Sequence, residues 1–136
     1  MLRAVRRRRT ALAVAAVAPV LAGCGSSGPT DEQLVARVVT AFGRATAAKD
    51  YRALCDRILS PSLIEQVTSI GLPCEQALEH GLGGVRSPQL TLGAVEVDGD
   101  KATAEVRTAA ANQAPSRDTL RLEKVRGAWR VASLAQ

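Results

Sequence analysis

The sequence has very few aromatic residues and histidines, which narrows the range of functions. Among its 136 residues there is one Phe, one Tyr, one Trp and one His. A platform that stacks nucleic-acid bases needs several aromatic side chains, so nucleic acid is not an expected partner. The three cysteines include no closely spaced pair, and a single histidine cannot complete a typical zinc site. We therefore expect neither a metal ion nor a cofactor.

The basic charge of the chain is confined to its first residues. The formal net charge is +5, with 18 Lys and Arg against 13 Asp and Glu. Five arginines, Arg3 and Arg6 to Arg9, precede residue 10, and without them 13 basic residues balance the 13 acidic ones. The positive charge thus belongs to a leader and gives no second reason to expect binding to nucleic acid.

The leader has the organisation of an export signal. The arginine-rich start is followed by an apolar run from Ala11 to Ala22, which is shorter than the roughly 20 residues that span a bilayer. The "LAGC" at residues 21–24 resembles the lipobox of bacterial lipoproteins, and the surrounding composition resembles such proteins from actinobacteria. Two other readings are an ordinary signal peptide with an incidental cysteine, and an uncleaved membrane helix.

The lipobox resemblance implies a membrane-anchored, exported protein. Residues 1–23 would be a signal peptide that is removed, and Cys24 would become a lipidated N-terminus at the outer face of the cell membrane. Residues 24–29 would form the lipidated cysteine and a flexible tether, because Gly, Ser and Pro oppose regular structure. Five residues of tether reach less than about 20 Å, which keeps the folded domain, residues 30–136, close to the membrane.

The two remaining cysteines, Cys55 and Cys74, suggest a disulfide. An exported chain meets an oxidising compartment, where a single pair of cysteines is usually bonded. Closing a loop of about 20 residues would add roughly 3 kcal/mol of stability in the chain-entropy model. The alternative is two independent buried thiols.

The first half of the domain has helical periodicity. Thr30 and Gln33 form a capping box, and apolar residues then recur at helical spacing to about Ala48. Asp50 is placed to cap a second helix. The Ser60-Pro61 pair starts a third helix, which is predicted to stop at Gly71. A short fourth helix over residues 74–80 ends at Gly81, and residues 81–88 read as a flexible connection.

The second half alternates with a period of two and predicts four antiparallel strands. The first runs from Gln89 to Val97, with a bulge at Gly93, and a turn at residues 98–100 leads to the second. Residues 111–116 are predicted to form a loop before the third strand. A turn at Arg126-Gly127 precedes the fourth strand, which includes Leu134. The fold class is therefore α+β, with N-terminal helices packed on a C-terminal four-stranded antiparallel sheet.

This order resembles the nuclear-transport-factor-2-like superfamily, a cone-shaped roll also described as cystatin-like. The resemblance rests on the helical "EQLVARVVTAFGRATAAKDYRALCDRI", the hairpin "VEVDGDKATAEVRT" and the closing "LRLEKVRGAWRVASL". Its members include isomerases and dehydratases as well as non-catalytic binding domains, so the resemblance does not choose an activity. The chain lacks the early strand pair of fuller members, which argues against a deep pocket.

No catalytic residues are predicted. Ketosteroid-isomerase-like enzymes use a buried carboxylate with an oxyanion donor, but no carboxylate falls on the inward phase of the predicted strands. Asp50 and Tyr51 are explained as a helix cap and an apolar contact, and His80 as a cation at a helix C-terminus. Trp129 is expected in the core, with a pocket wall as the alternative, and we name Trp129, Phe42 and Tyr51 as the candidate pocket residues.

Three classes of function remain. The first, which we favour, is a non-catalytic domain at the outer face of the membrane that binds a small apolar ligand or an envelope protein. The second is an enzyme of the ketosteroid isomerase or dehydratase type, for which a buried carboxylate with a shifted pKa would be the sign. The third is an accessory subunit of an envelope complex, for which an exposed apolar patch or a dimer formed through the sheet would be the sign.

Overall fold

The structure, a computed structural model, describes residue 25 and residues 27–134. The predicted signal peptide, Cys24 and part of the tether lie outside the described residues. The helices are α1 (Asp31–Ala48), α2 (Tyr51–Ala53) continued by a π-helical turn (Leu54–Ile58), α3 (Pro61–Thr68) and α4 (Cys74–Leu82). The strands are β1 (Gln89–Asp98), β2 (Lys101–Ala110), β3 (Gln113–Val125) and β4 (Ala128–Ser133).

The capping box at the start of α1 is present as predicted. The backbone N–H of Thr30 donates to Oε1 of Gln33 at 3.1 Å, and the N–H of Gln33 donates to Oγ1 of Thr30 at 3.3 Å. These two bonds satisfy amides that the first helical turn leaves without intrahelical partners. At the other end, Lys49 adopts a left-handed conformation with φ of 55° and stops the helix.

The buried face of α1 is rotated slightly from the predicted one. Val35 and Val39 are fully buried. The helical spacing in the sequence predicts a face of Leu34, Val38, Ala41, Phe42 and Ala45, of which Ala45 is buried and the others are half-buried. Successive residues are about 100° apart on a helix, so a broad apolar stripe includes both sets. The sequence identified the stripe but not its centre.

The four strands form one antiparallel sheet in the order β1-β2-β3-β4. The predicted bulge near Gly93 is confirmed by the shift in register between Leu92 and Val95. One sheet face carries the buried side chains of β2, β3 and β4 and packs against α1 and the π-helical turn. These side chains are Ala102, Ala104, Val106, Leu120, Leu122, Trp129 and Val131. The predicted α+β architecture is confirmed.

Three element boundaries differ from the predictions. Helix α3 ends at Thr68, and Ile70 is 61% exposed beyond it instead of packing. Helix α4 continues past Gly81 to Leu82. Strand β4 ends at Ser133, which leaves Leu134 exposed. In each case a glycine or an apolar residue near an element end suggested the wrong boundary.

The largest error concerns the predicted loop at residues 111–116. Only Ala111 and Asn112 form the turn, and β3 begins at Gln113. Pro115 lies next to a register shift between β2 and β3, in a part of β3 that extends beyond the pairing with β4. Proline is tolerated at bulges and strand edges because its missing N–H breaks no ladder bond there. The longer strand changes which polar residues face inward.

Candidate functional site

A cleft of about 210 Å³ lies between the C-terminal half of α1 and the far end of the sheet. Phe42 lines it from α1, Leu82 and Val85 from the segment after α4, and Leu90 from β1. The lining is completed by the ends of β2 and β3 on either side of the turn that joins them. These residues are Thr108, Ala109, Ala110, Gln113, Ala114 and Ser116. A mainly apolar concavity between a helix and a sheet is a typical place for a small ligand.

Glycine permits the close approach of α1 to the sheet beside this cleft. A Cβ atom built on Gly43 would lie 3.1 Å from Cβ of Leu90, which is closer than ordinary van der Waals contact. The helix therefore lies on β1 where a larger residue would push it away. Phe42 and Thr46 are brought over the far end of the sheet as a result.

Asn112 holds the segment between α4 and β1 against the β2–β3 turn. Its Nδ2 donates to the carbonyl of Gly84 at 2.9 Å, and its Oδ1 accepts from the N–H of Arg86 at 3.0 Å. The N–H of Ala111 donates to the carbonyl of Arg86 at 2.8 Å. The sequence predicts only a flexible connection here, because the glycine-rich residues 81–88 break the helical pattern. These bonds fix one wall of the cleft.

The polar groups of the cleft are hydroxyls and amides. Thr46 lines the helix side, and its Oγ1 is buried without a hydrogen-bond partner within the described residues. Thr108 and Ser116 line the sheet side and face each other across β2 and β3, with 2.8 Å between their hydroxyl oxygens. No Asp, Glu, His, Lys, Arg, Tyr or Cys is among the described residues that line the cleft.

One carboxylate does lie on the inward phase of the sheet, contrary to the prediction. Asp118 shares the face of β3 with Leu120 and is half-buried. The hydroxyl of Ser116 donates to Oδ2 of Asp118 at 2.5 Å. Asp118 thus touches the lining of the cleft through Ser116. Sequence reasoning missed it because β3 was predicted to begin later.

The three predicted pocket residues do not all line this cleft. Phe42 does, whereas Tyr51 and Trp129 are not among its lining residues. Trp129 is 4% exposed in the core, near the start of α1. Tyr51 packs against the core cluster, and its hydroxyl is buried without a partner in the described part of the chain. His80 is exposed in the last turn of α4.

A charged cluster lies at the opposite end of α1 from the cleft. Oδ1 of Asp31 is 2.8 Å from Nζ of Lys124 and accepts from Nε1 of Trp129 at 2.9 Å. The hydrogen bond from Lys124, with a smaller effect from Trp129, lowers the pKa of Asp31 below its usual value. Lys124 also lies 5.0 Å from the centre of the Trp129 ring, within cation–π range. The cluster fixes α1 to β3 and β4.

Among the depressions that are larger than the cleft, two lie on the sheet face away from α1. They measure about 500 and 580 Å³ and carry charged side chains, among them Arg107, Arg117, Lys101 and Glu123. Lys101 and Glu123 form an ion pair at 3.1 Å, and this bond is the main cause of a lowered pKa of Glu123. Helix α1 contributes no residue to either depression, so we interpret them as the solvated surface of the sheet and take the cleft beneath α1, lined by Phe42, Gly43 and Thr46, as the candidate site.

The predicted disulfide joins Cys55 and Cys74, with 6.1 Å between their Cα atoms. Cys55 lies in the π-helical turn and Cys74 is the first residue of α4. The bond therefore ties the π-helical turn to the start of α4. Within the described residues, no helix is both long enough and apolar enough to cross a membrane.

Comparison with known proteins identifies the fold. No family model matches the sequence, and no curated protein matches it either. An NTF-2-like protein of unknown function from Silicibacter pomeroyi is similar in structure, with a TM-score of 0.52 and 20% identity over 74% of this chain and 88% of that chain. An NTF2-like protein of unknown function from Shewanella baltica has a TM-score of 0.54 and 15% identity over 78% and 94%.

A de novo designed protein with the NTF2 fold is similar to the same degree. Its TM-score is 0.53, and the identity is 16% over 80% of this chain and 89% of the designed one. At such low identity the likeness concerns the fold alone. The helices and the antiparallel sheet therefore have an NTF2-like arrangement, and the function must be argued from the residues of the cleft.

Proposed function

We propose that this protein is an exported lipoprotein whose NTF2-like domain binds a small, mainly apolar molecule without chemically changing it. The observation that carries the proposal is the cleft between α1 and the sheet. Its walls are apolar, and its polar groups are hydroxyls and amides that orient a ligand but supply no acid or base.

An enzyme of the isomerase or dehydratase type is less well supported by these residues. Such chemistry requires a general base within hydrogen-bond reach of the substrate. Asp118 is the nearest carboxylate on the inward phase, but Ser116 lies between it and the cleft. His80 is exposed on α4 and is not among the lining residues.

The proposed location rests on the lipobox resemblance at residues 21–24. Lipidation of Cys24 would give two acyl chains, enough for stable attachment to a bilayer. The disulfide between Cys55 and Cys74 agrees with an oxidising compartment outside the cytoplasm. The short span from Gly25 to Pro29, directly before α1, leaves the domain little distance from the membrane.

In this proposed arrangement the cleft would lie near the end of α1 that is opposite to the tether. The tether joins α1 at Asp31, whereas the cleft is lined by Phe42 and Thr46 near its other end. Fifteen residues of α-helix span about 22 Å.

Native mass spectrometry of the mature chain tests the binding function. Residues 25–136 are exported to an oxidising compartment and purified without detergent. We expect an additional mass that is lost on denaturation. Chain that is free of any small molecule, and that binds no apolar probe at the cleft, would contradict the proposal.

The anchor is tested by Cys24→Ala and cell fractionation. We expect this variant to accumulate as an unprocessed precursor without the mass of the acyl groups. Ser26→Ala, two residues further along, is the matched control and should be processed normally. Normal processing and membrane association of Cys24→Ala would refute the lipoprotein assignment.

A further inference from the structure

The hydroxyls on the sheet side of the cleft form a hydrogen-bonded chain that ends on a carboxylate. Thr108 and Ser116 are 2.8 Å apart, and Ser116 is 2.5 Å from Oδ2 of Asp118. Thr108 and Ser116 are paired across β2 and β3, and Asp118 follows Ser116 by two residues on the same face of β3. The sheet register therefore sets the order of the three groups.

The carboxylate determines the direction of this chain. A carboxylate only accepts hydrogen bonds, and a hydroxyl has one proton to donate. The proton of Ser116 is therefore used on Asp118, and the bond between the two hydroxyls must be donated by Thr108. The protons of both hydroxyls are then engaged in hydrogen bonds within the chain. Each hydroxyl can therefore only accept a hydrogen bond from a molecule in the cleft.

The helix side of the cleft has a different hydrogen-bonding capacity. Oγ1 of Thr46 is buried and has no partner among the described residues, so it can both donate and accept. Buried polar atoms in folded proteins nearly always have a partner, and an exception needs an explanation. Because this oxygen is buried away from the open cleft, the hydrogen-bonding preference of the cleft rests on Thr108 and Ser116.

We propose, building on the binding function argued above, that the cleft selects apolar molecules that carry a hydrogen-bond donor of the alcohol or phenol type and rejects carboxylates. A ligand hydroxyl can donate to the lone pairs of Thr108 or Ser116. A ligand carboxylate would face those lone pairs with no proton to donate, and would lie near the charge of Asp118. An ether is neutral but also lacks a donor, so it isolates the contribution of the donor from that of the charge.

The test compares three eight-carbon probes: 1-octanol, heptyl methyl ether and octanoate. Each is titrated into the mature, disulfide-bonded domain, and the amide resonances of Ala110 and Gln113, which line the cleft, report the site. We expect 1-octanol to bind about five- to tenfold more tightly than the ether, the effect of one hydrogen bond. Octanoate should bind more weakly than the ether.

Two variants test the direction of the chain, and one serves as a control. The double change Thr108→Val, Ser116→Ala removes both acceptors and should bring the ratio of octanol to ether affinity towards one. Asp118→Asn supplies an amide donor that can reverse the chain and turn the proton of Thr108 into the cleft, so ether affinity should rise. Thr103→Val makes the same change on the opposite phase of β2 and should leave the ratio unchanged.

The outcomes separate this inference from the function on which it rests. Binding of all three probes at the cleft with equal affinity, or an octanol preference that Asp118→Asn leaves intact, would overturn the donor selection and leave the binding function standing. No binding by any of the three probes would overturn the donor selection, and it would overturn the binding function as well if the purified chain also carries no small molecule.

Discussion

Nε1 of Trp129 donates a hydrogen bond to Oδ1 of Asp31 at 2.9 Å, joining β4 to the first turn of α1. Lys124 bonds the same carboxylate from β3. The negative charge also lies at the positive end of the α1 dipole. One carboxylate thus connects the helix to two strands, at the end of the domain where the tether begins.

The charge of Asp31 should make stability depend on pH in the acid range. Its pKa is lowered in the folded state, chiefly by Lys124 and then by Trp129, from an ordinary value of 3.8. The stabilisation is therefore present above about pH 4 and is lost as the pH falls through the folded-state pKa. Asp31→Asn should lower the thermal midpoint at pH 7, and this effect should shrink as the pH falls below about 4 towards the folded-state pKa.

Thermal unfolding from pH 2.5 to 7 checks this expectation. Glu32→Gln, which removes a neighbouring first-turn charge that forms no ion pair in the described structure, is the matched control. A difference between Asp31→Asn and the wild type that is the same at pH 3 and pH 7 would show that the charge is not responsible.

Reduction of the disulfide should destabilise the domain. The bond closes a loop with a sequence separation of 19, and the chain-entropy model gives about 3 kcal/mol for a loop of this length. Urea unfolding with and without a reducing agent should show this difference in the free energy of unfolding. In the double variant Cys55→Ala, Cys74→Ala the reducing agent should have no effect, and an unchanged wild-type curve would contradict the prediction.

The β3–β4 turn offers a stabilising substitution. Arg126 has φ of 50° and Gly127 has φ of 80°, so both central residues are left-handed. Tight hairpins of this kind favour Asn-Gly, since asparagine tolerates that conformation better than most residues. Arg126→Asn should raise the free energy of unfolding by about 0.5–1 kcal/mol.

Gly127→Ala changes the next residue of the same turn and should lower the free energy of unfolding, because alanine is strained at positive φ. Chemical denaturation of the two variants beside the wild type measures both effects. If Arg126→Asn were as unstable as Gly127→Ala, the assignment of the turn would be wrong.

The sequence predicted the architecture well because the signals for it are local. The capping box at Thr30, the bulge near Gly93 and the change from helical to strand periodicity each depend on a few neighbouring residues. The cleft depends instead on contacts between distant segments, such as Gly43 against Leu90 and Asn112 against Gly84. Periodicity carries no information on these contacts.

The polar residues of the cleft were missed mainly because of the start of β3. Reading residues 111–116 as a loop removed Ser116 from the sheet and left Asp118 without an assigned face. Pro115 and the polar composition favour a loop when considered alone. Pairing with β2, which extends to Ala110 opposite Gln113, outweighs that preference. The order of Thr108, Ser116 and Asp118 appears only once this pairing is known.

Filling the cleft should abolish ligand binding without unfolding the domain. Ala114 is exposed and lines the cleft, so Ala114→Trp places an indole where a ligand would lie. We expect the affinity for 1-octanol to fall at least about tenfold. A tenfold loss corresponds to about 1.4 kcal/mol of binding free energy, which is less than the burial of one leucine-sized apolar group contributes. Ala111→Trp, also exposed but in the turn and outside the lining, is the matched control and should bind normally. Thermal unfolding of both variants would show that they remain folded. Equal loss of affinity in the two would point to a general effect of the indole, and unchanged affinity in Ala114→Trp would place the ligand elsewhere.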